Sequence, residues 1–130
     1  MVKNEDMDNY FLPSAGPESV NCAIEVAYFI GFRSLLLVGA DCGARNRKYP
    51  RSINALGDSP RILDLPISGN NKRTIFSQLS LILVRDSIEW FSELCVDLKI
   101  YRIGEGAKIK GTIELEADSD ELTTLQENSY

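Results

Sequence analysis

The spacing of apolar residues changes from stretch to stretch along this chain, and each change marks an element. Val20, Ala23, Ile24 and Ala27 recur at helical intervals, with Ile30 close to the same face, which predicts a helix near residues 17–30. Gly16 and Pro17 suit its start, because proline is favoured at the first helical position. Gly31 suits its end. Leu35, Leu36, Leu37 and Val38 then form an unbroken apolar run closed by Gly39. A run of that kind predicts a central strand buried on both faces. Residues 40–60 read as a long loop. Ile62 to Ile67 alternate like a strand, interrupted at Pro66, and SGNNKRT is turn chemistry. Thr74 or Ser77 is placed to cap a second helix near 75–94, with Leu79, Ile82, Leu83, Ile88 and Phe91 on its apolar side and Trp90 nearby. Leu98, Ile100, Tyr101 and Ile103 predict a third strand, and Thr112 to Leu115 a short edge strand. No internal repeat is present. This order predicts an α/β fold: a small Rossmann-like three-layer domain with a mostly parallel sheet and helical crossovers.

Composition narrows the setting. The 130 residues suit one domain, large enough to bury roughly two-thirds of its unfolded surface. The net charge of −5 is unevenly spread. Six acids lie beyond Gly111 with no base among them, which leaves the rest of the chain at +1. Residues 117–130 are polar and acidic, so the expected organisation is one domain over 1–116 and a disordered, solubilising tail over 117–130. No apolar run approaches the ~20 residues of a membrane span. The opening MVKNEDMDNY lacks the basic and apolar parts of a secretory signal. Cys22, Cys42 and Cys95 are odd in number and widely spaced, which fits neither a disulfide framework nor a zinc cluster. A reduced, cytoplasmic location is expected. The basic residues form no face broad enough for nucleic acid.

Histidine is absent. Serine–histidine and cysteine–histidine pairs are therefore excluded within this chain, and a general base must be a carboxylate, Tyr, Lys, Cys or a group from another chain. The candidate site follows from the predicted strands. In open α/β sheets, ligands bind beyond the carboxyl ends of the strands. The backbone N–H groups from Gly16 to Ser19 could hold a phosphate at a helix N-terminus, or simply start a helix. Asp41 stands just past the second element, where a ribose or metal ligand would be, or a solvated turn residue. Gly104, Glu105, Gly106 and Lys108 follow the third strand, where glycines permit backbone to approach a ligand, or merely make a tight connection. Asn70 is a candidate for reading a base or sugar hydroxyl, although turn formation alone also explains it. Arg45, Arg47, Lys48 and Arg51 could neutralise a diphosphate or an acidic sugar; a solvated loop would look the same.

These segments carry a family resemblance. The helix start GPESV with AYFIGFRSLLLVGAD, then LPISGNNKRTIFSQLSLILVRDSIEWFSEL and KIYRIGEGAKIKGT, resembles the bacterial motility-accessory-factor proteins. That family is glycosyltransferase-like and linked to modifying flagellin with nonulosonic, sialic-acid-like sugars. The match runs from about Ser14 to Thr112 and corresponds to the C-terminal part of the family domain. The pattern is also similar to bacterial sialyltransferases that use CMP-sugars and to an archaeal pterin pyrophosphokinase group. The resemblance implies a nucleotide-sugar ligand, such as a CMP-linked nonulosonic acid, with transfer to a hydroxyl acceptor. Two departures stand against turnover: the family's earlier strands are not matched, and the histidine base of the sialyltransferases has no counterpart near SGNNKRT. A non-catalytic binding or assembly module is the alternative. A pyrophosphokinase-like reaction is another, with Asp41 and Asp64 holding Mg²⁺. A small sheet with an unprotected edge also predicts a homodimer, with Phe11, Leu12 or a helix face at the contact.

Overall fold

The computed structural model describes residues 16–47 and 62–116. Helix α1 spans Ser19–Phe29 and strand β1 Ser34–Val38. Between them the chain reverses through a Schellman turn: Phe32 N–H donates to Ala27 O (3.0 Å) and Gly31 N–H to Tyr28 O (3.1 Å). Gly31 has φ of 108°, a conformation that side-chain-bearing residues resist. Arg33 locks this corner. Its guanidinium donates to Tyr28 O and Phe32 O, lies 4.1 Å from the Tyr28 ring centroid, and pairs with Asp97 at 2.6 Å.

Strands β2 (Leu65–Ser68) and β3 (Thr74–Ser77) form a separate antiparallel hairpin. This corrects the expected helix start at Thr74 or Ser77. Residues 74–77 alternate, with Ile75 and Ser77 buried, and Ser77 Oγ donates to Cys42 O at 2.7 Å instead of capping a helix. Helix α2 begins only at Leu79 and runs to Leu94. Strands β4 (Lys99–Ile103) and β5 (Thr112–Leu115) complete a three-stranded parallel sheet of order β1-β4-β5.

β4 is therefore the central strand, and β1 lies at an edge. The expectation of a doubly covered β1 fails for a second reason. Leu35 and Leu37 pack against the core, whereas Leu36 is 43% and Val38 73% exposed. Alternation has split the apolar run between two faces. The core lies between one face and the helices, and is built from Ile24, Val84, Ile88, Phe91, Leu98 and Ile100. The helices touch each other there: Asn21 Nδ2 donates to Val84 O at 3.0 Å, and Tyr28 meets Phe91 edge to face. The sheet remains mostly parallel, flanked by helices, and Rossmann-like. The acidic tail, Phe11, Leu12, Lys48 and Arg51 lie outside the described residues.

Candidate functional site at the carboxyl edge of the sheet

The segments leaving β1 and β4 meet directly. Ala107 N–H donates to Asp41 O at 2.7 Å. Gly106 sits so close that an added Cβ would lie 2.4 Å from Asp41 O. A side chain there would push the two segments apart, so this glycine serves backbone packing. The hairpin docks on the same junction. Asn70 N–H donates to Gly106 O (2.9 Å) and Lys108 N–H to Ser68 O (2.9 Å), while Ala44 and Phe76 exchange backbone bonds. The Asn70 amide donates to Gly104 O and Glu114 Oε2 at 2.8 and 3.0 Å. That side chain is thus engaged in holding the glycine turn.

Two hollows lie close to this junction. The first, about 290 Å³, is lined by Glu18, Ser19, Val20, Gly39, Ala40, Cys42, Leu81 and Val84. It takes in the first turn of α1 and the N-terminal part of α2. Neither helix has a side-chain cap or an acid in its first turn. Leading N–H groups without such partners, together with the helix dipole, favour an anion, and the carboxylate of Glu18, the N-cap of α1, is the opposing charge in the lining. The second hollow, about 220 Å³, is lined by Ala44, Arg45, Asn70, Asn71, Arg73, Thr74, Ile75, Glu105 and Gly106. Arg45 and Glu105 form an exposed ion pair at its rim.

The sequence-predicted residues divide between these places. Ser19 belongs to the first hollow; Asn70, Glu105 and Gly106 belong to the second. Asp41 stands at the junction, facing Gly104, whose added Cβ would be 3.4 Å from Asp41 Oδ1. Gly16 packs on Asn21 and Lys108 is exposed, and neither lines either of these two hollows. Asp64 precedes β2 in the hairpin sheet, so it does not share a strand-end position with Asp41. Among the described residues, no group of three or more acidic or cysteine side chains is placed to hold a metal ion.

Electrostatics single out Asp41 and its neighbours. Burial raises the Asp41 pKa, and the Arg102 guanidinium partly opposes the rise. Burial pushes the Cys42 thiol up to about 11, so it is protonated and a poor nucleophile at neutral pH. Arg102 was missed by sequence reasoning. It is 2% exposed, donates to Ala107 O at 2.7 Å and pairs with Glu114 at 3.3 Å. The available signal was its position two residues after Ile100, on the apolar face of a strand, where a charge needs a partner. Arg73, in the second hollow, was also missed.

The fold is similar to the solved structure of an MAf glycosyltransferase from Magnetospirillum magneticum AMB-1, with a TM-score of 0.62 and 24% identity. The similarity covers 82% of this chain, which spans only 16% of the length of that protein. No protein-family model matches the sequence, and no curated protein matches it.

Proposed function

We propose that this chain is a glycosyltransferase-like, nucleotide-sugar-binding unit whose ligand is a CMP-linked nonulosonic acid. The observation that carries this reading is the hollow at the carboxyl end of β1, where the uncapped first turn of α1 lies opposite Leu81 and Val84 of α2. Such a place suits the phosphate of a nucleotide. The half-buried Asp41 beside it suits a sugar hydroxyl, and its burial makes it a stronger base than an ordinary carboxylate. The fold likeness to a glycosyltransferase supports the same class. If the unit is active, it transfers the sugar to a hydroxyl acceptor. Turnover by this chain alone should be slow, because without a histidine the base must come from side chains whose ordinary pKa values suit neutral pH less well.

Calorimetric titration with CMP and CMP-sialic acid tests the reading. Binding is expected, and Asp41→Ala should weaken it with the fold intact. Absence of binding by either nucleotide at millimolar concentration would remove the ligand assignment. CMP release near ~1 s⁻¹, the low end of ordinary enzymes, would overturn the expectation of slow turnover.

Self-association belongs to the same proposal. The outer edge of β1 is unpaired among the described strands. On α1, Ala23, Val26 and Ile30 form an exposed, uncharged seam, away from the side that Asn21 and Tyr28 turn to α2. A second copy can meet that flank about a two-fold axis without like-charge contact. Sedimentation should show a dimer that Val26→Glu abolishes.

A further inference from the structure

We propose that the second hollow is an oxyanion subsite, in which Arg73 and Arg45 hold a carboxylate or phosphate carried by the ligand of the first. This inference rests on the nucleotide-sugar reading and says which part of such a ligand is recognised, and by what. Size comes first. A whole drug-sized ligand needs a pocket of roughly 300–1,000 Å³. Neither hollow reaches that size, at about 290 and 220 Å³, so a nucleotide sugar has to extend over both, and the smaller one suits a substituent. Its position fits that role, because Gly106 lines it, Ala40 and Cys42 line the first hollow, and Gly106 packs on Asp41 between those two.

Charge comes next. The lining holds two guanidinium groups and one carboxylate, in a chain whose net charge is −5. The carboxylate of Glu105 is already taken by Arg45. The Arg73 guanidinium has no hydrogen-bond or ion-pair partner among the described residues, although its backbone is fixed on both sides. Its N–H donates to Asn71 Oδ1 at 3.2 Å, and its carbonyl accepts from Gly69 N–H at 2.7 Å. A fixed backbone carrying an unpaired guanidinium is a ready receptor, because the planar fork matches the two oxygens of a carboxylate. Asn70 and Gly106 hold the floor still, and buried Ile75 keeps water from its base. Glu105 is the competitor: an incoming anion must draw Arg45 away from it.

The probes are CMP, CMP-sialic acid (a carboxylate on the sugar), UDP-glucose (phosphates with a neutral sugar) and free sialic acid, titrated into the full chain. CMP-sialic acid should bind at least about tenfold tighter than CMP, the low end for one charged hydrogen bond. Arg73→Ala should remove that advantage and leave CMP affinity unchanged, while Arg73→Lys restores only part of it. Glu105→Gln should strengthen CMP-sialic acid several-fold without changing CMP. If the subsite instead reads the second phosphate of a diphosphate, UDP-glucose gains the advantage and Arg73→Ala removes it, while CMP and CMP-sialic acid, with one phosphate each, stay unchanged. Equal weakening of CMP itself, or no advantage for any anionic sugar or diphosphate, overturns the proposal. A separate readout needs no nucleotide. Free sialic acid at millimolar concentration should shift the guanidinium Nε–H resonances of Arg73 and Arg45 and leave that of Arg33 alone. That shift without CMP binding would refute the nucleotide reading and retain the subsite; absence of both would refute the subsite.

Discussion

The two faces of the parallel sheet are made from similar residues and have opposite surroundings. On one, Leu35, Leu37 and Ile100 lie beneath both helices, and even Arg102 is buried. On the other, Leu36, Val38 and Ile113 are exposed among the described residues, although Leu115 at the end of β5 is buried. Their hydrophobicity does not differ. What differs is coverage, because α1 and α2 touch each other and so arrive on the same side. Local apolar character sets which residues can be buried; the placement of the helices decides which are.

The largest expected effect tests that contrast directly. Ile100→Ala should cost about 2–5 kcal/mol, from lost burial and the cavity left behind. Leu36→Ala, one strand away on the open face, should cost less than about 1 kcal/mol, because much of its side chain is already in water. Urea unfolding of the two variants measures both. Equal losses would mean that the second face is covered in solution.

A smaller effect is expected where the covered face runs into the site. Gly106→Ala would set a methyl against the Asp41 backbone and should cost about 1–3 kcal/mol, as overpacking does. Gly31→Ala meets nothing within 4 Å and suffers only from its positive φ, about 1 kcal/mol. Thermal melts of the pair separate crowding from backbone strain. A Gly106 variant no worse than the Gly31 variant would show that the junction yields.

This contrast also explains what could be read from the sequence. α1, β1, β4 and β5 were legible within about two residues, because helical spacing, short apolar runs and glycine stops are local signals. The boundary at Thr74 was not. TIFSQLSLIL carries helical and strand periods end to end, and only pairing with Leu65–Ser68, a tertiary contact, assigns its first four residues to a strand. The position of β1 at the edge was hidden for the same reason. At the site, the convergence of Asp41 and the 104–106 turn followed from strand order. The burial of Arg102 depended on the register that sets it beside Glu114, and the pocket role of Arg73 depended on how the hairpin docks.

The smallest effect should fall at Asp41, where the covered face ends. Burial raises its pKa, so the folded chain holds a proton there more tightly than the unfolded chain does. Between the ordinary aspartate range and the raised value, the native state binds more protons, and stability falls as pH rises. Above that window the cost of a desolvated charge is fully present; below it the carboxyl is neutral in both states. Asp41→Asn should therefore be slightly more stable than the parent at neutral pH, within about 0.5 kcal/mol, and the gap should close as pH falls below the ordinary carboxylate range. Melting temperatures of both proteins across that range provide the measurement. A residue kept for its chemistry at some cost to the fold should also show the opposite sign in binding, so the same variant should bind CMP-sialic acid more weakly. A variant less stable than the parent at neutral pH would instead make Asp41 a structural residue of the β1–β4 junction.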